Sequence, residues 1–376
     1  MKILFVIDAY FTHNNGTSIS AQRFADELRK RGHEVRVLTT CDGPKENIYS
    51  LPELRIPIFQ GLISKHGFQF AKWPRKTIRE AVEWADIIHC FFPFVMEAKV
   101  KKVADQLGKP STAAFHVQPQ NITSSLGTGK VDWVNNMLFR LFRNTTYNHY
   151  GHIHTPSQFM ADEISSRGYT AKIHPISNGI QSDFKWTKRP KEPQFADKIL
   201  IMMVGRLAGE KRQDLLIDAL QYSKYGDKIQ LIFAGKGPKY KQYYKLGQKL
   251  KNPPIFTYLP KEELINQLAQ CDLYVHASDM ESEAISCIEA FATGLVPVIS
   301  NSSLSATKQF ALDERSLFEA GNPKDLARAI DYWLDNPEEK QKMEKIYSES
   351  AANYNINNSI TQFEAMLQEA INDNKK

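Results

Sequence analysis

Residues 272–300 read DLYVHASDMESEAISCIEAFATGLVPVIS. An apolar run, Asp272–His276, is followed by a polar turn and then by a helix-length segment carrying Glu281 and Glu289. Gly294 stops that segment, and a second apolar run, Val296–Ser300, follows. Strands that are apolar throughout, joined by a helix, belong to a parallel sheet covered on both faces. Working outward, the same grammar recurs at Ile199–Val204, Ile229–Ala234 and Ile255–Leu259. In the first half it recurs at 2–7, 34–39, 86–90 and 111–116. Ala21, Phe24, Ala25 and Leu28 fall on one face of a helix that Gly32 ends. Residues 181–198, QSDFKWTKRPKEPQFADK, break the pattern with two prolines and five cations.

The fold class expected is therefore α/β, with two Rossmann-like domains whose parallel sheets face across a cleft. Residues 1–182 are expected to form the first domain, 183–198 a linker and 199–356 the second domain. A closing helix, about Ser359 to Asn372 within 357–376, packs back on the first domain. A chain of 376 residues suits two cores. Its four cysteines form no CxxC pair and imply neither a zinc knuckle nor a disulfide framework. The opening run Ile3–Ile7 is cut short by Asp8, so it reads as a buried strand rather than a secretory leader. No window is long and apolar enough for a membrane span. The expected location is cytoplasmic, peripheral at the inner face of the cell membrane.

Architecture of this kind also suits a binding protein or an epimerase, so the motifs decide. Glu281 and Glu289 are eight apart, about two helical turns. The first lies before a helix N-terminus, whose free amides suit a diphosphate, and the second lies within the helix. An isolated Glu pair is more often surface charge; here an apolar strand precedes the segment and a strand entry follows. In Val204-Gly-Arg-Leu-Ala-Gly-Glu-Lys211, Arg206 and Lys211 stand where two cations can meet one anion. Fixed cations in a dry site stabilise a departing diphosphate by about 3 to 4 kcal/mol each. Phe233-Ala-Gly-Lys-Gly-Pro238 is a strand end with a tight turn, Gly235 to Pro238, common in α/β proteins. Asn14-Asn15-Gly16-Thr17 follows the first strand, and Gly16 permits close backbone approach. The sequence holds no Asp-x-Asp, and its histidines lack ligand spacing: His152 and His154 share a strand face but no nearby carboxylate. No metal and no cofactor are expected.

Together these residues resemble glycosyltransferase family 4, the retaining GT-B enzymes, whose signature is two glutamates with seven residues between them. The resemblance implies that Glu281 contacts donor-sugar hydroxyls, Glu289 the ribose, and Arg206 and Lys211 the pyrophosphate. It implies that Gly235, Gly237 and Pro238 line the nucleotide pocket, that Gly16 and Thr17 meet the donor, and that His116 lies near the anomeric carbon. Thr155-Pro-Ser157 and Ser177-Asn-Gly-Ile180 also resemble family stretches that line the cleft. Where the family commonly has Phe-Gly, this chain has Glu283-Ala284, followed by Ile285. Ala284 lets the backbone approach phosphate less freely, and Glu283 adds a charge near the donor.

The acceptor is read from charge. Residues 1–182 hold 22 Lys+Arg against 15 Asp+Glu, whereas the remainder holds 26 against 27. Residues 55–76 interleave Arg55, Lys65, Lys72, Arg75 and Lys76 with Phe59, Phe68, Phe70 and Trp73, and Leu138–Arg143 repeats the theme. Lys99, Lys101, Lys102 and Lys109 add charge. Such segments lie at lipid interfaces, with Lys72, Trp73, Arg75 and Lys76 as the contact; the plainer reading is rings packed under a loop and solvated cations. The expectation is transfer of a hexose from UDP-glucose or UDP-galactose to diacylglycerol, ceramide or a glycolipid. The rivals are a transferase of capsule, exopolysaccharide or lipopolysaccharide assembly, and a non-catalytic sugar-nucleotide-binding subunit. A UDP-sugar epimerase and a nicotinamide dehydrogenase rank lower, and no module for nucleic acid is present.

Overall fold

The computed structural model describes residues 1–12, 16–43, 45–55, 69–120, 123 and 131–375, which divide into two compact units. Asn14, Asn15, Phe59, Lys65 and Phe68 lie outside the described residues.

The first unit is Met1–Asn178 with Asn357–Lys376. Its strands are β1 (Lys2–Val6), β2 (Glu34–Thr40), β3 (Ile48–Leu51), β4 (Ile87–Cys90), β5 (Ser111–Ala114), β6 (His152–Thr155) and β7 (Lys172–Pro175). They form one parallel sheet in the order β3-β2-β1-β4-β5-β6-β7. Ile3 to Val6 expose nothing, as a strand covered on both faces requires. One face, with Leu4, Val6, Leu38, Ile88 and Phe115, packs against α2 (Arg75–Trp84), α3 (Val95–Gln106), α4 (Asp132–Thr145) and α5 (Gln158–Ser165). On the other, Phe5 and His89 meet Phe363 of α12 (Ile356–Asp373), which in turn meets Phe24 of α1 (Gly16–Lys30). Ile360, Phe363 and Leu367 are fully buried. Arg31 and His33 both hold Glu364, at 2.7 and 2.8 Å.

The second unit is Gly179–Ile356. Its sheet contains β8 (Ile199–Val204), β9 (Ile229–Ala234), β10 (Ile255–Thr257), β11 (Leu273–His276), β13 (Pro297–Ser300) and β15 (Leu317–Phe318), in the order β10-β9-β8-β11-β13-β15. β12 (Met280–Glu281) and β14 (Leu304–Ser305) pair separately. Around the sheet lie α6 (Gln213–Ala219), α7 (Tyr240–Gly247), α8 (Lys261–Leu268), α9 (Ile285–Ala292), α10 (Pro323–Asp335) and α11 (Pro337–Ser350). From β8 and β11, which are neighbours, the chain departs in opposite directions. Their carboxyl ends thus open a crevice at the switch point.

Residues 183–198, read as a linker, belong to this second unit. Thr187 N–H donates to Thr293 O and Arg189 N–H to Ala269 O. The Trp186 ring sits over Gly294, where a Cβ would come within 3.0 Å of it. Backbone hydrogen bonds thus tie this segment to the turns that follow α8 and α9.

Candidate functional site

The site of the second unit grows from the two strand ends at its switch point. After β8 the chain turns through Gly205, and after β9 through Gly235 and Gly237. The two turns interlock: Leu207 N–H donates to Lys236 O and Lys239 N–H to Leu207 O. A Cβ on Gly235 would lie 2.0 Å from Gly205 O, and one on Gly237 would lie 2.3 Å from Leu207 O. Glycine is needed there for close approach, whatever the ligand.

A short turn, Gly209–Lys211, then presents two cations. Arg206 is held by Glu210 at 2.6 Å, and Lys211 by Glu281 at 2.5 Å. Each cation therefore has its own carboxylate. Arg212, in the left-handed region at φ 58°, reaches Asp279 at 3.3 Å, while Asp279 N–H donates to Glu210 O at 2.8 Å. These bonds fasten the turn after β8 to the loop after β11.

Glu281 Oε1 also accepts from His276 Nε2 at 2.9 Å, and Tyr274 Oη lies 3.2 Å from His276 Nδ1. If Nε2 carries the imidazole proton towards the carboxylate, Nδ1 accepts from the tyrosine. A directed chain results, Tyr274 to His276 to Glu281, closed by Lys211. Burial by itself would raise the Glu281 pKa. The Lys211 ammonium and the His276 bond outweigh it and hold the carboxyl well below the usual carboxylate range. Glu281 is thus an anion fixed by a cation that a stronger anion could draw away.

Beyond Glu281, Ala284 adopts φ 75° and ψ 68° to start α9. Ile285 opens that helix, and Glu289 lies within it, 6% exposed. Ser286 Oγ donates to Val204 O at 3.2 Å, seating the helix start on the end of β8. Glu283, expected to add charge near the donor, is 3% exposed, and its charge acts on Tyr354. Beside the interlocked glycine turns lies a recess of about 330 Å³, lined by Leu207, Lys236, Tyr240, Phe256, Thr257 and Tyr258. The Lys236 ammonium lies 4.4 Å from the centroid of the Tyr258 ring.

Sequence reasoning missed His276, Tyr274, Arg212, Asp279 and the aromatic lining of this recess. A signal existed for two of them. His276 ends the strand at the switch point, and Tyr258 follows β10 directly. The pairing of Arg212 with Asp279 bridges 67 residues and leaves no local pattern.

In the first unit, Gly16 and Thr17 open α1, and Ser18 Oγ donates to Ala9 O at 2.6 Å, anchoring the helix to the end of β1. His116 follows β5 by two residues and is 8% exposed. It stacks on Phe91 at 6.0 Å and meets His154 edge-on at 5.0 Å. Burial, and then His154, keep its pKa well below the ordinary imidazole value. Lys72, Trp73, Arg75 and Lys76 are exposed at the N-terminal end of α2. Of the repeated theme in Leu138–Arg143, Phe139 and Phe142 are buried, because helical spacing turns them to the sheet. The exposed apolar residues of α4 are instead Trp133, Met137 and Leu141. No described helix is long and apolar enough to cross a membrane.

Two doubly wound units, the second with paired cations and spaced carboxylates at its switch point, define the GT-B class of glycosyltransferase. Residues 14–184 match Glycosyltransferase Family 4 and residues 184–350 match Glycosyl transferases group 1, so the chain belongs to family 4 of the glycosyltransferases. It is 26% identical to alpha-monoglucosyldiacylglycerol synthase of Streptococcus pneumoniae, over 94% of this chain and 83% of that protein. Anabaena HepE, solved with UDP and glucose, superposes with a TM-score of 0.74 at 18% identity, over 98% of this chain and 100% of that one. The catalytic domain of cholesterol-alpha-glucosyltransferase from Helicobacter pylori is 52% identical, over 42% of this chain and 98% of that one, with a TM-score of 0.41.

Proposed function

We propose that this glycosyltransferase is a retaining, metal-independent hexosyltransferase that moves glucose or galactose from a UDP-sugar to a hydroxyl of a membrane lipid. The observation that carries the reading is the joined set Lys211, Glu281 and His276 at the switch point, beside a recess lined by aromatic rings. In this reading the base occupies the recess, where Tyr258 and Phe256 offer ring faces and backbone groups. Glu289 binds the ribose diol, Glu281 the hexose hydroxyls, and Arg206 and Lys211 the two phosphates with the first amides of α9.

The diphosphate competes with Glu210 and Glu281 for the two cations. Its arrival releases the Glu281 carboxylate to the sugar while His276 still orients it. The bond from C1 to the phosphate oxygen then breaks, and the acceptor oxygen bonds C1 on the same face. The departing phosphate takes the acceptor's proton, and Arg206 and Lys211 stabilise the charge that remains on UDP. In this reading His116, kept neutral by burial, has a role towards the donor sugar.

The lipid acceptor rests on three supports. One relative over most of this chain is a glucosyldiacylglycerol synthase. The first half of the sequence carries the cationic excess. The unit also exposes apolar side chains among cations. Trp133, Met137 and Leu141, spaced i, i+4 and i+8 on α4, are 70%, 54% and 50% exposed, with Arg140 exposed beside them, and Trp73 is exposed among Lys72, Arg75 and Lys76. Such ridges suit an anionic bilayer surface.

Purified protein should release UDP from UDP-glucose or UDP-galactose, should release GDP from GDP-mannose more slowly, and should turn over faster when vesicles carrying diacylglycerol, ceramide or a glycolipid are added. Lys211→Ala and Glu281→Gln should each lower kcat about 10²- to 10³-fold. Binding without turnover of any donor would instead make the chain a sugar-nucleotide-binding subunit. On anionic vesicles, alanine at Trp133, Met137 and Leu141 should abolish flotation; unchanged flotation would remove the membrane contact.

A further inference from the structure

At the far edge of the first unit's sheet, well separated in sequence from every donor-site residue, two imidazoles and two carboxylates converge. His152 starts β6 and His174 lies in the edge strand β7. Register pairs His154 with His174, so His152 and His174 are diagonal neighbours on one face. That face is the one covered by α12, whose last turns bring Glu369 and Asp373, four residues apart, over the histidines. The sequence shows no carboxylate near His152; tertiary folding delivers these from more than 200 residues away.

His152 Nδ1 lies 3.0 Å from His174 Nε2. One ligand atom from each of His152, His174 and Glu369 lies within 4.8 Å of the others. His152 Nε2 lies 3.3 Å from Asp373 Oδ2. A histidine that binds metal through one nitrogen commonly gives its other N–H to a carboxylate, which sets the tautomer and raises its basicity. Asp373 stands in that place, and it leaves the Nδ1 lone pair aimed at His174. In the protein without an ion, a single proton between the two rings fills the space that a cation would take. Lys172 pairs with Glu369; with Glu369 and Asp373 ionised, the group of these three charges is net negative.

We propose that His152, His174 and Glu369 form a binding site for a divalent transition-metal ion, with Asp373 orienting His152. Two imidazoles and a carboxylate with an open position suit Zn²⁺ or Co²⁺ better than Mg²⁺ or Ca²⁺, which prefer all-oxygen sets. The ion clips α12 to β6 and β7. Its role is to hold the returning helix on the sheet, and it takes no part in sugar transfer.

Untagged, chelator-stripped protein equilibrated with micromolar ZnCl2 should retain about one equivalent after dialysis, and Co²⁺ should give the intense visible bands of a four- or five-coordinate ion. His174→Asn and Glu369→Gln should lose that equivalent with unchanged donor hydrolysis, and Asp373→Asn should weaken binding about 10- to 100-fold. Lys172→Met should tighten it. Zinc retained equally by His174→Asn and Glu369→Gln would overturn the site. So would wild-type protein that leaves the Co²⁺ spectrum that of the aqua ion, a result that needs no variant to fold.

Discussion

Ala284 is a residue whose side chain does not suit its backbone. At φ 75° it sits in the left-handed region, which costs an L-residue about 1–2 kcal/mol and glycine little. Ala284→Gly should therefore raise stability by about 0.5–1 kcal/mol once the larger entropy of the unfolded glycine is subtracted. Chemical denaturation checks this, and a loss instead would mean that the Ala284 methyl is needed for packing. Asp8 and Glu97 form a second conflict. Burial pushes the Asp8 pKa up to about 7, although its Oδ1 accepts the Ala71 N–H at 2.7 Å. Glu97, fully buried on α3, is raised well above the carboxylate range by burial and then by Asp8. Both hold protons in the folded chain that the unfolded chain releases above about pH 4.5, so their cost grows as pH rises. Glu97→Gln should stabilise the protein more at pH 8 than at pH 5, by up to about 1.4 kcal/mol per pH unit. An equal gain at the two pH values, measured by thermal melts, would show that Glu97 is ionised in both states.

Among the elements, the paired turns after β8 and β9 set the shape of the donor site. A methyl on Gly237 would meet Leu207 O at 2.3 Å, so Gly237→Ala must push the two turns apart. It should cost about 1–3 kcal/mol and raise KM for the donor more than it lowers kcat, since both Leu207 and Lys236 line the recess. Steady-state kinetics separates these effects. At α4 the spacing of residues says which side chains face the core. Phe139 and Phe142 fill it, and Trp133, Met137 and Leu141 stay outside. A linear reading of aromatics interleaved with arginines joins the two sets, because composition ignores the 3.6-residue period.

For the molecule as a whole, the returning helix matters most. Phe363 of α12 touches Phe5, Phe24 and His89, which belong to three different elements of the first unit. Phe363→Ala should cost about 3–5 kcal/mol, read as a drop in melting temperature. Chelator treatment should leave sugar transfer unchanged in rate, because Arg206 and Lys211 supply the charge at the leaving group; inactivation by chelator would require a catalytic ion.

What could be read along the chain is what repeats along it. Apolar runs of strand length, helices at their period and glycines at strand ends announced both sheets, and residues proposed for the donor, Arg206, Lys211 and Glu281 among them, stand in or beside those repeats. Such features are local: a strand buried on both faces must be apolar throughout, and a turn in close contact must be glycine. Tertiary structure decided the rest. Only the folded chain makes Glu281 the partner of both Lys211 and His276, sets Arg212 on Asp279, folds 183–198 onto the second unit, and lays Glu369 and Asp373 over His152 and His174. Those contacts join residues from 5 to over 200 positions apart, with partners chosen by sheet order and crossover rather than by spacing. Charge pairs carry no periodicity, so nothing in the linear order could have named them.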